Sequence, residues 1–474
     1  DIGREELIGQ FGSLTAAETA SLTQTAAVIA AASSRQISTW QGRSERIDRF
    51  LLHPVLGPIV LMGLMALIFQ SIFAWAEPVM GLIDNLFAQV GDWVEGALPA
   101  GPVQSLLVDG VIGGVGSVLV FLPQIIVLFL FIALLEDSGY MPRMAFLVDR
   151  AFRWCGLSGK SFIPLLSSFA CAVPGIMATR TIEDRKLRFI TIMVAPLMTC
   201  SARLPVYAIM IAAFIPHREL FGMLNTHGVL LGGFYLLGLS IAVVVSLILK
   251  KTLLKTQRGT FMMELPSYKI PTLRSVLIRV FNRARHFVTR AGTVILAITI
   301  IIWALSYYPR SEKLTNEYQI RVAALRIEPG RAETTDVKAR EQELANEFAG
   351  AQLRNSYLGR IGQAVEPLFA PLGWDWKITM ATLASFPARE VIVATLGTIY
   401  NLGSDSEDSS SLVDKMRQAT WESGPRLGQP VFNPAVALSI MVFFALCCQC
   451  GATVVTIRQE TGAWKYAVGV FAYM

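Results

Sequence analysis

Six cysteines are the residues of this sequence whose side chains could do metal chemistry. Thiolate is a ligand for softer transition metals and not for Na⁺, Mg²⁺ or Ca²⁺. The spacing is not the paired C-x-x-C pattern of a structural zinc site, and it does not indicate a small disulfide-stapled domain. A lone cysteine in a membrane helix is more often a small packing residue, and the pattern alone leaves that alternative open. Five of the six lie in apolar stretches: Cys171, Cys200, Cys447, Cys448 and Cys450.

Cys171 belongs to the stretch "SSFACAVPGIMATR" (167–180), in which Pro174 and Gly175 interrupt an apolar run. Because proline removes a helical hydrogen bond and clashes with the preceding turn, we expect the backbone to break at Pro174-Gly175. Broken backbone at membrane depth persists only where it is buried in protein or lines a polar path. The stretch is therefore predicted to form part of a gate. The alternative is a proline kink in an ordinary spanning helix.

Charged side chains inside apolar segments are the second group of candidates, because a charge is costly there and often marks function. Arg203 lies within one apolar segment, Arg389 and Glu390 lie within another, and Glu136 and Asp137 end a third. Neighbouring residues on a helix do not face each other, so Arg389 and Glu390 are poorly placed as a purely structural pair. Snorkelling or mutual pairing explains these charges as well as ligand contact does.

The composition of the whole chain predicts a polytopic membrane protein. Apolar residues make up 53% of the 474 residues and charged residues only 16%, whereas a soluble domain carries about a quarter charged residues. Residues 1–50 are polar and rich in Ala, Ser and Thr, so we expect no signal peptide among them. Spanning a bilayer takes about 20 apolar residues, and the following segments are predicted to do so: Val55–Trp75, Gly110–Leu135, Phe189–Pro216, Gly228–Leu249, Ala291–Tyr308 and Phe432–Ile457.

The distribution of Lys and Arg predicts the orientation. Residues 250–290 hold ten basic residues and one acid, and 180–188 is also basic, so both are expected in the cytoplasm. Residues 77–109 are acidic and are expected outside, as is a mixed-charge extramembrane insert at 309–375. Both basic segments can be cytoplasmic only if Ser161–Thr179 returns to the side it came from. We therefore predict a re-entrant segment there, and the charge pattern does not indicate nucleic-acid binding.

An internal repeat relates the two halves. Residues 191–209 resemble 439–457 at a constant offset, which aligns Cys200 with Cys448. A second interrupted stretch, Thr379–Tyr400, corresponds to the first re-entrant segment. The predicted topology makes the two copies inverted, and inverted repeats with a broken helix in each are typical of transporters that bind substrate near the midplane.

These patterns together predict an all-α polytopic membrane protein with an inverted repeat and two broken re-entrant gate segments. Gate 1 is expected at about 160–216 and gate 2 at about 378–457, within a membrane domain at 53–474. Residues 1–52 are expected to be a cytoplasmic linker.

Several long motifs resemble the membrane domain of the bacterial ferrous-iron transport protein B family. The similarity runs from about residue 44 to the end of the chain, and four stretches carry it: "GVGSVLVFLPQIIVLFLFIALLEDSGYMPRMAFLVDR", "GLSGKSFIPLLSSFACAVPGIMATR", "APLMTCSARLPVYAIMIAAFIP" and "SFPAREVIVATLGTIY". The resemblance implies multi-pass insertion in the bacterial inner membrane and uptake of Fe²⁺ as the transported substrate. It makes Cys171 the gate cysteine, Cys200 the first-arm cysteine, and Cys447, Cys448 and Cys450 the late cysteines of the metal pathway.

The resembled family begins with a cytoplasmic GTP-binding domain, which this sequence does not match. "WCGLSGKS" (154–161) has Trp154 where a P-loop needs glycine. We therefore expect no enzymatic activity from this chain, with GTP and Mg²⁺ acting only through the missing domain and 1–52 as a remnant of its helical tail. Residues 464–474 are expected to begin an unfinished helix. The expected partners are lipid, further copies of the chain and small cytoplasmic accessory proteins, with no nucleic acid.

The sequence leaves two other functions open. One is a membrane receptor or scaffold for a GTPase that moves no ions. The other is a permease similar to nucleoside transporters, whose sites need polar amides and aromatic rings around the break. The thiols near the predicted break favour metal over a nucleoside.

Overall fold

Nearly all of the described chain is helical. The structure, a computed structural model, describes residues 23, 25, 39–99, 101–216, 219–220, 224–252, 268–327, 335–387, 389, 391–399, 409–421 and 426–474. Glu390 and parts of the predicted 1–52 linker and 250–290 basic segment lie outside these residues.

The chain reaches the first gate through four helices. The second is 42 residues long, begins at Leu56 and contains the rest of the predicted span Val55–Trp75. The third begins with Pro102, whose fixed φ suits a first helical position, and it contains a π-helical turn at Leu106–Ile112. The helices are α1 (Thr39–Leu51), α2 (Leu56–Ala97), α3 (Pro102–Asp137) and α4 (Tyr140–Trp154).

Gate 1 consists of four short helices and is followed by a long one. A minimal antiparallel pair of two-residue strands, β1 (Glu219–Leu220) and β2 (Leu224–Asn225), connects the gate to the long helix. The helices are α5 (Phe162–Ala170), α6 (Ala172–Ala178), α7 (Arg185–Val194), α8 (Leu204–Phe214) and α9 (Thr226–Thr252).

The second half repeats this order with an insertion. α10 (Leu273–Tyr307) contains a π-helical turn at Val288–Gly292. Two polar helices follow it, in the region of the predicted insert, and the rings of Tyr318 and Phe348 stack between them at 4.6 Å. The remaining helices are α11 (Glu312–Ile327), α12 (Thr335–Asn355), α13 (Tyr357–Phe369), α14 (Trp376–Ala384), α15 (Val391–Ile399), α16 (Ser409–Gln418), α17 (Pro434–Leu446), α18 (Gly451–Thr461) and α19 (Trp464–Tyr473).

Five helical segments of the described chain are long and apolar enough to cross a membrane, and these confirm the all-α polytopic fold. A sixth candidate is the pair Ser44–Leu51 and Leu56–Ile68, which is bent by 88°. The five are Pro102–Asp137, Arg185–Phe214, Thr226–Thr252, Leu273–Tyr307 and Pro434–Thr461.

Buried apolar side chains form three clusters. One surrounds Trp374, Tyr207 and Phe444 and joins α8 to α17. The second joins α3 to α10, and the third joins α7 to α18 and α19. The ring of Tyr466 on α19 packs edge-on against Phe189 of α7, with centroids 4.7 Å apart.

A buried ion pair fastens α1 to α4, the helix that leads into gate 1. Arg143 is 1% exposed and donates to both carboxylate oxygens of Asp48, at 2.7 and 3.1 Å. The hydroxyl of Tyr268 donates to the same carboxylate at 2.8 Å, and the guanidinium lies 3.9 Å from the Tyr268 ring centroid. Burial, and then the hydrogen bond to Asp48, raise the pKa of Tyr268.

Candidate functional site

Breaks in the two gates converge on one cavity of about 120 Å³, which we call the cysteine cavity. Four of the five predicted cysteines line it: Cys171 and Cys200 from gate 1, and Cys448 and Cys450 from gate 2. Cys447 is buried beside it without lining it. The two repeats thus contribute two thiols each to the same space.

The cysteines lie where helices stop. Cys171 has extended backbone (φ −155°, ψ 133°) between α5 and α6. Cys200 is extended between the two halves of the first arm, α7 and α8, and Cys450 is extended between the two halves of the second, α17 and α18. An extended residue between helices directs its side chain independently of either helix. This geometry allows cysteines from different helices to line the same cavity.

The position of the first break corrects the sequence-based prediction. The chain breaks at Cys171, and Pro174 and Gly175 lie inside α6. Pro174 is the third residue of that helix, where the backbone N–H has no intrahelical partner, so proline removes nothing. Proline at this position therefore indicates a helix that begins two residues earlier, at Ala172.

Gly175 allows the two halves of the gate hairpin to approach. A Cβ on Gly175 would lie 2.7 Å from the carbonyl oxygen of Pro164 and would also meet the Ser168 hydroxyl. The chain therefore turns back on itself at Cys171, as expected of a re-entrant segment, and α6 packs directly on α5. The glycine is needed for this close approach and not for a turn.

Both arms are also broken, which the sequence reasoning missed. α7 ends at Val194 and α8 begins at Leu204, while α17 ends at Leu446 and α18 begins at Gly451. The aligned Cys200 and Cys448 both lie in these breaks. Prolines and polar residues in "APLMTCSARLP" and "CCQCG" were the available signal.

Arg389 of gate 2 satisfies the carbonyl groups that the break in the second arm exposes. Its guanidinium donates to the carbonyl oxygens of Phe444 at 2.9 Å, Cys447 at 2.6 Å and Gln449 at 3.1 Å. The last carbonyls of a helix have no intrahelical partner, so an arginine here replaces the missing donors.

Arg203 does the same for the first arm. It is fully buried and donates to the carbonyl oxygens of Pro196 at 3.1 Å and Met198 at 3.3 Å. It also reaches the Cys447 carbonyl at 3.5 Å, so both arginines share one acceptor in the second arm. These hydrogen bonds are neither snorkelling nor mutual pairing of charges. They occupy backbone carbonyls that could otherwise face a cation.

The charges at the end of α3 lie away from the cysteine cavity. Asp137 pairs with Arg279 at 2.6 Å and Glu136 pairs with Arg283 at 3.0 Å, both on α10. Glu136 lines a second cavity of about 480 Å³, which we call the vestibule. The structure thus separates these two acids from the thiols, and it does not describe Glu390.

Polar groups that the sequence reasoning did not single out also border the cysteine cavity. Gln124 and Ser117 of α3 line it, as do Ser201 and Thr453. The Ser201 hydroxyl donates to the Ala170 carbonyl at 3.1 Å, which fastens the first arm to the gate hairpin. A glutamine in the apolar run "FLPQIIVLF" was the detectable signal.

The described residues contain no group of three or more His, Cys, Asp or Glu side chains arranged to hold a metal ion. The thiols surround a shared volume without forming a preassembled coordination shell. The thiols of such a site can contact a soft cation transiently, because the two neighbouring guanidinium groups repel the cation.

Known protein families match both gates. A family model named Gate and described as nucleoside recognition matches residues 118–214 and 288–464, which is more than half of the chain. A second model, described as ferrous iron transport protein B C terminus, matches residues 231–283.

Curated relatives match about nine tenths of the chain. The Fe(2+) transporter FeoB of Leptospira interrogans serovar copenhageni is 40% identical over 429 residues, which are 90% of this chain and 57% of the relative. The Fe(2+) transporter FeoB of Campylobacter jejuni is 33% identical, over 91% of this chain and 63% of the relative.

A third relative is a fusion. The Fe(2+) transport protein A/Fe(2+) transporter FeoB fusion protein of Porphyromonas gingivalis is 41% identical over 91% of this chain and 50% of the relative. The chain therefore spans less than two thirds of the length of these three relatives. No solved structure matches it. With both gates and the segment between them matched, the chain belongs to the ferrous iron transport protein B family and forms a membrane domain of that family.

Proposed function

We propose that this chain forms the pathway by which Fe²⁺ enters across the bacterial inner membrane. The observation that carries the proposal is that Cys171, Cys200, Cys448 and Cys450 line one cavity at the helix breaks. Soft sulfur donors suit a divalent transition metal, and broken helices in inverted repeats are where transporters bind their substrates. The relatives named as Fe(2+) transporters support Fe²⁺ as the cargo.

The arginines and the cysteines of the site would have different roles. Arg389 and Arg203 hold the helix ends apart by occupying their carbonyl groups, which keeps the cavity from closing into continuous helix. The thiols then contact the cation through a small number of bonds. A cation held this way, beside two positive charges, is bound weakly enough to leave, as transport requires.

Coupling to GTP and to a partner protein belongs to the same proposal. A GTP-binding domain on the N-terminal side would act on gate 1 through α1 and α4, which the Asp48–Arg143 pair joins. The fusion protein of P. gingivalis supports an accessory partner of the protein A type. The extramembrane pair α11–α12 would face the opposite side of the membrane from the basic segments.

Metal flux through the full-length protein in sealed vesicles tests the proposal, measured with a fluorescent Fe²⁺ indicator with and without GTP. We expect Cys171→Ser and Cys200→Ser each to lower Fe²⁺ flux severalfold, because serine keeps the size and loses the soft donor. Cys155→Ser is the matched control, since Cys155 does not line the cavity. Size-exclusion chromatography should show equal amounts of folded protein.

Two results would contradict the proposal. Vesicles without any metal flux would favour a receptor or scaffold. Unchanged flux in both serine variants would make the cysteines packing residues.

A nucleoside permease is the second candidate, because the Gate model is described as nucleoside recognition. Gln124 and Phe121 line the cavity and could pair with or stack on a base. Uptake of radiolabelled uridine by the same vesicles separates the two functions. Uridine uptake that depends on Gln124, without Fe²⁺ flux, would establish the second.

A further inference from the structure

The cysteine cavity and the vestibule are adjacent, and two residues border both of them. Val173 and Phe287 appear in the lining of each cavity. The vestibule is lined on its other sides by the charged residues Glu136, Arg180 and Arg283, among others. The side chains of Glu136 and Arg283 are 43% and 36% exposed, so this cavity has charged groups at an accessible edge.

The partition itself is apolar and closed. Val173 is 4% exposed and Phe287 is 8% exposed, and both belong to the core cluster between α3 and α10. A hydrated ion cannot pass between buried apolar side chains, because nothing there replaces its water. Apolar constrictions between wet compartments are one of the ways in which ion pathways are gated.

Each partition residue lies next to a deviation from regular helix. Val173 is the second residue of α6, two residues after the extended Cys171. Phe287 is followed immediately by the π-helical turn Val288–Gly292 in α10. π-Helical turns are rare and are frequent at functional sites. Both side chains can therefore be displaced without unfolding a long, regular helix.

We propose that Val173 and Phe287 form a hydrophobic gate between the cysteine cavity and the vestibule, and that their separation opens the exit for the cation. The proposal rests on the function proposed above and names the point at which that pathway is closed. The vestibule is lined by residues of the basic segments, Arg180 and Arg283, so this exit leads to the cytoplasm under the predicted topology.

Accessibility of the cavity thiols to Ag⁺ tests the gate independently of iron. Ag⁺ is a small thiol-reactive cation, and it would be added in chloride-free buffer to inside-out vesicles of the full-length protein carrying Cys155→Ser. Thiols left unmodified would be counted with a maleimide after denaturation. We expect Phe287→Leu and Val173→Ala each to speed modification of the cavity cysteines at least tenfold.

Phe234→Leu is the matched control for Phe287→Leu. Phe234 is 4% exposed and lies on α9, and it lines neither cavity. Its variant should keep the unmodified rate of Ag⁺ reaction. Size-exclusion profiles would show which variants are folded, and if Phe287→Leu is not, Val173→Ala alone decides.

The outcomes separate this gate from the proposed function. Faster Ag⁺ reaction in the partition variants only, with Fe²⁺ flux in the same vesicles, supports both. Faster Ag⁺ reaction without any Fe²⁺ flux supports the gate and contradicts iron as cargo. Equal Ag⁺ rates in the partition variants and in Phe234→Leu overturn the gate, whether or not iron is transported.

Discussion

Arg389 and Arg203 act on the backbone of the site more than on its ligand. Each donates several hydrogen bonds to carbonyl oxygens at the end of a half-helix, and both reach the carbonyl of Cys447. Arg389 comes from gate 2 and Arg203 from the first arm, so one acceptor joins elements of the two repeats. The planar guanidinium fork suits this role, because its donors have fixed directions.

Arg389→Lys should destabilise the protein although it keeps the charge. A lysine ammonium cannot reach three carbonyls in different directions, and each buried acceptor left without a donor costs about 1–3 kcal/mol. The melting temperature in detergent, followed by size-exclusion chromatography after heating, should fall by several degrees. Arg426→Lys is the control, because Arg426 is exposed. Equal melting temperatures for the two variants would contradict the capping role.

The elements of the fold were predictable to different degrees. Hydropathy over about 20 residues predicts the five spans, because crossing a bilayer requires length and composition alone, whereas the predicted Val55–Trp75 corresponds only to the bent sixth candidate. The breaks in the arms were missed, because a window average does not register a few extended residues such as Met198 to Cys200. Proline commonly interrupts helices, which predicts the first break at Pro174, but Pro174 is the third residue of α6, where proline is tolerated.

The cysteines of the site were predictable in identity and not in arrangement. Their apolar surroundings and the alignment of Cys200 with Cys448 were visible in the sequence. Cys447 contributes its carbonyl oxygen to a hydrogen bond with Arg389 and does not line the cavity. This depends on how the second arm is rotated at its break, and no sequence pattern encodes that rotation. The pairing of Glu136 with Arg283 of a distant helix was likewise hidden.

The gate hairpin depends on close contact between α5 and α6, and Gly175→Ala tests that contact. The added Cβ would overlap the Ser168 hydroxyl and the Pro164 carbonyl oxygen. Overpacking costs about 1–3 kcal/mol, so we expect a lower melting temperature and lower Fe²⁺ flux. Gly232→Ala is the matched control, since no heavy atom lies within 4 Å of its added Cβ. In α9 that change should be neutral or stabilise the helix by about 1 kcal/mol. If Gly175→Ala left the melting temperature and the Fe²⁺ flux as unchanged as Gly232→Ala does, the hairpin would tolerate a wider separation of α5 from α6.

In the molecule as a whole, ion pairs beside the basic segment 180–188 also connect the two repeats. The side chain of Glu460 in α18 is 3% exposed and pairs with Arg180 at 2.6 Å and Arg188 at 2.7 Å. Both arginines follow the gate 1 hairpin, so the last turn of the second arm is held against the first gate. The hydrogen bond to Glu460 raises the pKa of Arg180 and keeps its charge fixed. The basic residues around this contact are the ones that predict a cytoplasmic location.

Labelling of the basic segment 180–188 tests the orientation of the whole domain in the membrane. We expect a cysteine introduced by Lys186→Cys to react with a membrane-impermeant maleimide only in inside-out vesicles, because 180–188 carries four basic residues and Lys186 is exposed. Glu317→Cys, on the 57% exposed Glu317 of α11, should react only from the outside of intact cells. Both variants would carry Cys155→Ser, and the same background without an added cysteine measures labelling of the cavity thiols. If Lys186→Cys were labelled from outside, Ser161–Thr179 would cross the membrane fully, and the hairpin at Cys171 would not return the chain to the cytoplasm.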